Sequence, residues 1–480
     1  MVGVSLALDE LGVDAGEVEA ELAALCEADV APHSGRVLGG VFDADAGLRE
    51  FATGIYTRFL PHNLLYVNLY PSLGKMERGV VSSVAHLLGG GPEVTGNFTS
   101  GGTESIMLAV KAAREHAREH RPEIARPKLV LPITAHPAFH KAAHYLGLDV
   151  ITTAVDPQEF RADLGALASA IDESTILVVG SAPNFSHGTI DPIPEMAALA
   201  AERGALFHVD ACVGGLYLPF LRECGYAVPD FDFSIPGVTS MSADLHKYGY
   251  VPKNASVVLY ANRELRSHSL FVCSGTTEYA VINPTVQSTR SAGPLAAAWA
   301  MFRRLGREGY IELVVEAQLA TTLMVESARE IEGLEVLGTP AMSMFTLASE
   351  RFNIFELADE MSARGWSLVP QFAVGGSPRN LHVAVTASSA ARADEFGRDL
   401  ADACAVLRER PPSVDEDAIR EAIATHARSP LPNLMAALMP LAGLTGPQLP
   451  SHMAALNTVL DHLEVPVRDA LLRSYINLTT

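Results

Sequence analysis

The 480-residue sequence predicts an α/β protein, with a large mixed, mostly parallel sheet and a smaller α+β unit behind it. Three observations predict it. The chain is too long for one small core. Short apolar runs alternate with stretches of helical spacing from residue 76 to 300. Several of those runs are apolar throughout, as parallel strands buried on both faces are.

Taken in order, residues 1–75 read as an N-terminal helical arm broken by Gly and Pro, with a turn-rich piece at His33–Gly40. The large unit, 76–310, carries strand candidates at Lys128–Ile133, Asp149–Thr153, Thr175–Gly180, Leu206–Asp210, Val238–Ser242 and Ala255–Tyr260. In such a sheet a ligand sits beyond the carboxyl ends of the strands. A long helix at Leu313–Ile331 leads the small α+β unit, 311–410, which also holds MSMFTLAS, a helix near Ile354–Arg364, and LHVAVT. Arg410–Val414 punctuates its end. The remainder, 411–480, is a helical, apolar tail suited to packing on the body or on a second subunit.

Composition excludes some functions. At 48% hydrophobic and 19% charged residues the chain is an ordinary globular protein. A formal charge of −21 leaves no basic face for nucleic acid or an anionic membrane. No apolar run approaches the ~20 residues of a membrane span. The N-terminus meets acidic residues too early for a signal peptide, so a cytoplasmic protein is expected. Cys26, Cys212, Cys224, Cys273 and Cys404 form no CxxC pair, which points to reduced thiols and to neither a zinc site nor a disulfide framework.

Three motifs carry chemistry. Thr99-Ser100-Gly101-Gly102-Thr103-Glu104-Ser105 opens a helical stretch; paired glycines and a helix N-terminus suit a phosphate, although a capped glycine turn looks similar. Phe207-His208-Val209-Asp210 ends a buried strand on a carboxylate that points into the ligand crevice, or caps a loop. Ser242-Ala243-Asp244-Leu245-His246-Lys247 follows an apolar strand, and burial beside a histidine suits an amine held near neutrality. In this order along an α/β pattern, the three form the layout of fold-type I enzymes that use pyridoxal 5'-phosphate (PLP). Lys247 then carries the cofactor as a Schiff base, and Asp210 keeps its pyridine nitrogen protonated.

The segments GNFTSGGTESIMLAVKAAR, GSAPNFSHGTIDPI, HVDACVGG and FDFSIPGVTSMSADLHKYGYVPKNASVVLY resemble the sphingosine-1-phosphate lyase branch of the group II PLP-dependent decarboxylases. The similarity extends from about His33 to residue 408. It implies catalytic roles for Lys247, Asp210 and His136, with His136 stacked on the cofactor ring. It also implies cofactor contacts from Gly101, Gly102, Thr103, Asn184 and His246, with Ser288 and Thr289 reaching in from the partner of a homodimer with shared sites. Tyr66, Lys253 and Arg290 are the implied substrate contacts. No metal is expected: His136, His140 and His144 are spaced by four residues without accompanying carboxylates, and Ala113–His120 (AREHAREH) reads as a solvated helix face.

The chain also departs from the family. The family's Asn-Pro-Leu-His segment is Asn63-Leu64-Leu65-Tyr66 here, and Leu38 stands for an expected tyrosine. Losing two polar phosphate partners costs roughly several kcal/mol of charge-assisted hydrogen bonding. The expectation is therefore a small-molecule amine or amino acid whose acidic group faces Lys253 or Arg290. The reaction is a carbon–carbon lyase step at Cα, by decarboxylation or by retro-aldol cleavage of a β-hydroxy amine. A transaminase, a carbon–carbon bond-forming enzyme, a non-catalytic homologue and a histidine-based metal hydrolase are the alternatives.

Overall fold

The computed structural model describes residues 12–277, 279–444, 446 and 448–479. The first eleven residues of the expected arm, Glu278 and three positions of the expected tail lie outside the described residues. The main sheet holds β1 (Thr95–Thr99), β2 (Lys128–Pro132), β3 (Asp149–Thr153), β4 (Thr175–Ser181), β5 (Leu206–Asp210), β6 (Ser240–Asp244) and β7 (Ser256–Tyr260). Their spatial order is β1-β7-β6-β5-β4-β2-β3. Only β7 runs against its neighbours, β1 and β6; the other pairings are parallel.

Five of the expected strands lie within a residue of their predicted bounds, while β6 sits two residues later than its apolar run suggests. β1 escaped the sequence reading because TGNFT has neither an apolar run nor clean alternation. Its Gly96 is required by packing: a Cβ there would lie 2.2 Å from the Val258 carbonyl oxygen of β7. The helix Gly102–His120 covers the sheet with Ile106, Ala109, Val110, Ala113 and Ala117, all buried at helical spacing.

A second sheet orders β10 (Glu335–Val336), β11 (Met344–Ala348), β13 (Asn380–Ala384) and β12 (Val369–Gln371) antiparallel, and β8 (Phe271–Cys273) pairs with β9 (Val281–Asn283) as a separate ribbon. The chain is helical from Gly293 to Arg329 apart from a break at Gly306, whose φ of 58° leaves the helical region. This helix joins two cores, packing Leu295, Met301 and Val314 into that of the main sheet and Met324, Val325 and Ala328 into that of the small sheet. The tail forms helices Glu416–His426, Leu431–Leu441, Ala454–His462 and Val465–Thr479. Asn353 ties the first and third of these to the small unit through Glu416 and Thr458. Among the described residues no helix is long and apolar enough to cross a membrane.

Several histidines are sealed in this framework. His208, inside β5, meets Ser240 and Ser242 of the adjacent strand through both ring nitrogens. Burial pushes His208 and His187 down to about 4 and His382 to about 3. Unfolded, each titrates near 6.5, so below that pH the unfolded chain binds protons that the folded chain refuses. Their contribution is fully present above pH 6.5 and is lost as pH falls toward 4. Burial raises Asp191 to about 6, which acts in the opposite direction but is one group against three. The thermal midpoint should therefore fall between pH 6.5 and about 4, by an amount on the order of several kcal/mol in stability. Replacing His187 with Gln should flatten the profile; a midpoint constant across that window would contradict the account.

Candidate active site

The parallel strands β1, β2, β4, β5 and β6 end at one edge of the sheet, and the residues after each of them line one cavity of about 370 Å³. β1 delivers Ser100–Glu104, β2 delivers His136, β4 delivers Pro183 and Phe185, β5 delivers Asp210 and Cys212, and β6 delivers His246 and Lys247. Because β7 is reversed, its amino end brings Lys253 and Asn254 to the same edge.

Lys247 Nζ lies 3.1 Å from Oδ2 of Asp244. Burial works to lower the lysine, but Asp244, Cys212 and Asp210 outweigh it, so its pKa is raised. The amine is thus held charged by carboxylates, in contrast to the near-neutral amine expected from its histidine neighbour. His246 cannot supply the expected positive charge, since burial pushes it down despite the Ala255 carbonyl 2.8 Å from its Nδ1. Asp244, which the sequence reading left without a role, has 3% of its side chain exposed and accepts from Ser256 Oγ at 2.6 Å. Ser256 in turn meets Ser105, and Ser105 meets Thr99, so hydroxyls link the carboxylate to the Gly-rich helix start.

Asp210 Oδ1 accepts from the Cys212 amide at 3.0 Å and from Ser242 Oγ at 3.1 Å. Burial alone would raise this carboxyl; His136, the Cys212 thiol, His208 and Lys247 together bring it below its ordinary value, so it is ionised. His136 Nδ1 accepts from the Ala138 amide at 3.2 Å, which leaves the proton of the neutral ring on Nε2. Burial also lowers its pKa. Lys253 Nζ donates to the Gly40 carbonyl at 2.9 Å and lies over the Phe42 ring.

Not all of the expected site assembles here. Asn184 does not reach the cavity: its amide nitrogen donates to Phe160 and Thr189, and its oxygen accepts from the His187 amide. Leu38 is fully buried in the core of the small sheet, with its carbonyl accepting from Ala384, so it lines no substrate pocket and the argument built on it falls. Tyr66 is exposed and stands apart from the cavity. Thr289 and Arg290 line a separate cavity of about 190 Å³ that shares Ser100 and Asn254 with the main one. Arg290 Nη1 donates to Phe98, and its Nε is buried without a partner among the described residues. Ser288 accepts from Asn283. Glu104 ties the two regions together, accepting from the amides of Ser100, Val286 and Gln287. His140 and His144 lie on the exposed face of the helix Ala138–Leu146, away from His136.

Residues 40–344 match the pyridoxal-dependent decarboxylase conserved domain. The chain belongs to that family. Its cofactor is pyridoxal 5'-phosphate. Residues 416–478 match a second model, a C-terminal putative HTH domain of pyridoxal-dependent enzymes. The sphingosine-1-phosphate lyase of Arabidopsis thaliana is 40% identical over 358 residues, 74% of this chain and 65% of that protein. A probable L-tyrosine/L-aspartate decarboxylase of Methanothermobacter thermautotrophicus is 32% identical over 70% of this chain and 89% of its own length. The solved sphingosine-1-phosphate lyase of Burkholderia pseudomallei superposes with a TM-score of 0.80 at 35% identity, covering 88% of this chain and 95% of that one. The chain spans about two thirds of the length of the plant lyase.

The cavity fits this cofactor. At Gly102 a Cβ would lie 2.8 Å from Cys212 Sγ and 2.9 Å from both Asp244 oxygens, so only a bare backbone leaves room at this helix start. Gly101, at φ 151°, makes the turn into it. The Gly102→Ala protein should lose cofactor affinity by about tenfold or more, read by absorbance titration with PLP. Unchanged affinity would show that the phosphate is held elsewhere.

Proposed function

We propose that this protein is a PLP-dependent carbon–carbon lyase of the aldehyde-lyase type, cleaving a β-hydroxy amine next to its Cα. The observation that carries the reading is that Lys247, Asp210, His136 and Gly101–Thr103 all border one cavity, with Lys253 on its wall. The retro-aldol outcome is favoured by the relatives named as sphingosine-1-phosphate lyases. Decarboxylation of an amino acid is the second reading, favoured by the archaeal relative matched over most of its length.

When bound, the cofactor supplies an electron sink for the pair left at Cα. Lys247 would hold its aldehyde carbon through Nζ. Asp210, ionised and accepting two hydrogen bonds at Oδ1, would keep the pyridine nitrogen protonated. His136 would lie against the ring, and the amides of Gly102 and Thr103 would take the phosphate, with His246 lining the same wall. Once free of the cofactor, Lys247 Nζ would be placed to accept the hydroxyl proton, and Asp244, 3.1 Å away, would hold the resulting ammonium. Lys253 meets an acidic group on the substrate.

The working unit is a homodimer. Asn63 bridges Ser291 and its side chain accepts from the Arg290 amide, so Tyr66, Ser288, Thr289 and Arg290 gather away from the chain's own cavity, where they serve the partner's. Phe271, Val272, Ile282 and Val286 stand exposed beside them, an apolar surface suited to a second subunit. The tail is a packing module and not a nucleic-acid reader. Its Arg420, Arg428, Arg468 and Arg473 are outnumbered by acids, and Arg468 is buried against the Asp461 and Leu463 carbonyls. The five free cysteines support a cytoplasmic setting.

Two measurements test this. Aldehyde release from phosphorylated and unphosphorylated β-hydroxy amines, run beside carbon dioxide release from amino acids, should show aldehyde alone. Lys247→Ala should abolish it, and Asp210→Asn should lower kcat by about 10²–10⁴-fold; carbon dioxide as the sole product would replace the first reading by the second. Inactive Lys247→Ala and Arg290→Ala chains should regain activity when mixed as dimers. Failure to complement, with both chains folded and dimeric, would place Arg290 outside the shared site.

A further inference from the structure

Far from the cofactor cavity, the last turns of the helix Gly102–His120 face the short helix Arg263–Ser267 that follows β7. His116 and His120, four residues apart, present their rings on one side and stack at 4.3 Å. Glu264 reaches toward them, its Oε1 3.6 Å from His120 Nε2. The ligand atoms of His116, His120 and Glu264 all lie within 4.8 Å of one another.

Two further features prepare these groups. The Nδ1 of His120 faces the His116 carbonyl oxygen at 3.0 Å. A proton on Nδ1 makes that hydrogen bond and leaves the Nε2 lone pair facing Glu264, the arrangement that orients imidazole ligands in metal sites. Beside the cluster, His268 presents its ring edgewise to both histidines, at 5.3 and 5.9 Å. Its side chain is nine-tenths buried, yet Nε2 has no hydrogen-bond partner among the described residues. A buried ring nitrogen without a partner costs free energy that a ligand in the cluster recovers.

We propose that His116, His120 and Glu264 form a surface site for Zn²⁺ that braces the phosphate-loop helix against the helix Arg263–Ser267. Two imidazoles and one carboxylate are the donors that suit zinc; magnesium and calcium prefer oxygen ligands throughout. Bonds of about 2.0–2.1 Å put tetrahedral donors roughly 3.3 Å apart. The His120–Glu264 pair is already close to that, and side-chain rotation closes the rest. The fourth position takes water. His120 and Glu264 are open to solvent, which gives the ion an entry path. The cofactor loop lies at the opposite end of a 19-residue helix, so the ion strengthens the scaffold and takes no part in the chemistry.

Isothermal titration of the metal-stripped, PLP-loaded protein with zinc chloride tests this. The expected result is one ion per chain, a higher thermal midpoint with zinc, and affinity reduced by about tenfold or more in His116→Ala and in His120→Ala. Glu264→Gln should weaken binding less, and all three variants should keep wild-type PLP absorbance and turnover without zinc. No stoichiometric binding, or wild-type affinity in both histidine variants, would overturn the site.

Discussion

Asp244 is a carboxylate almost shut off from water, and the surrounding elements are arranged so that this charge is never left alone. Isolating such a group would cost several kcal/mol. Lys247 answers it from the turn after β6 and Ser256 from the first residue of β7. Through Ser105 and Thr99 the same chain of hydrogen bonds reaches the Gly-rich helix start. One ion pair thereby sets the spacing between the Lys247 amine and the backbone of the Gly-rich helix start.

That constraint accounts for the reversed strand of the main sheet. A parallel strand after β6 would carry the chain to the far edge. By turning back antiparallel, β7 places Ser256 directly opposite Asp244 and returns Lys253 and Asn254 to the edge where the parallel strands end. The site therefore draws on six strands with no long insertions. Asp210 is satisfied differently, by the Cys212 amide and Ser242, and the two acids serve opposite purposes: one neutralises an amine, the other faces the crevice.

Much of this was legible in the chain. Lys247, Asp210, His136 and Gly101–Thr103 stand just after apolar runs, where chain order and strand direction already place them at one edge. What failed has local causes. Asn184 lies within a family segment, but its amide is spent on the turn around Phe160 and Thr189. Leu38 sits in a loosely matching stretch whose backbone joins the small sheet, so it became core. The charge state of Lys247 was misjudged because the adjacent histidine is visible in sequence, whereas dominance by the carboxylate three residues earlier depends on a distance.

The sequence by itself determined the alternation of strands and helices, the cofactor and most residues that line the cavity, because those depend on local hydrophobic pattern and on residue type at strand ends. Only the tertiary structure decided which acid pairs with Lys247, and that Arg290 and Thr289 face a cavity apart from the main one. It also turned AREHAREH from a solvated face into a cluster with Glu264 and His268. The physical reason is common to all three. Each depends on side chains from different elements meeting within a few ångströms, and such meetings are set by how helices and strands pack, which no short stretch of sequence specifies.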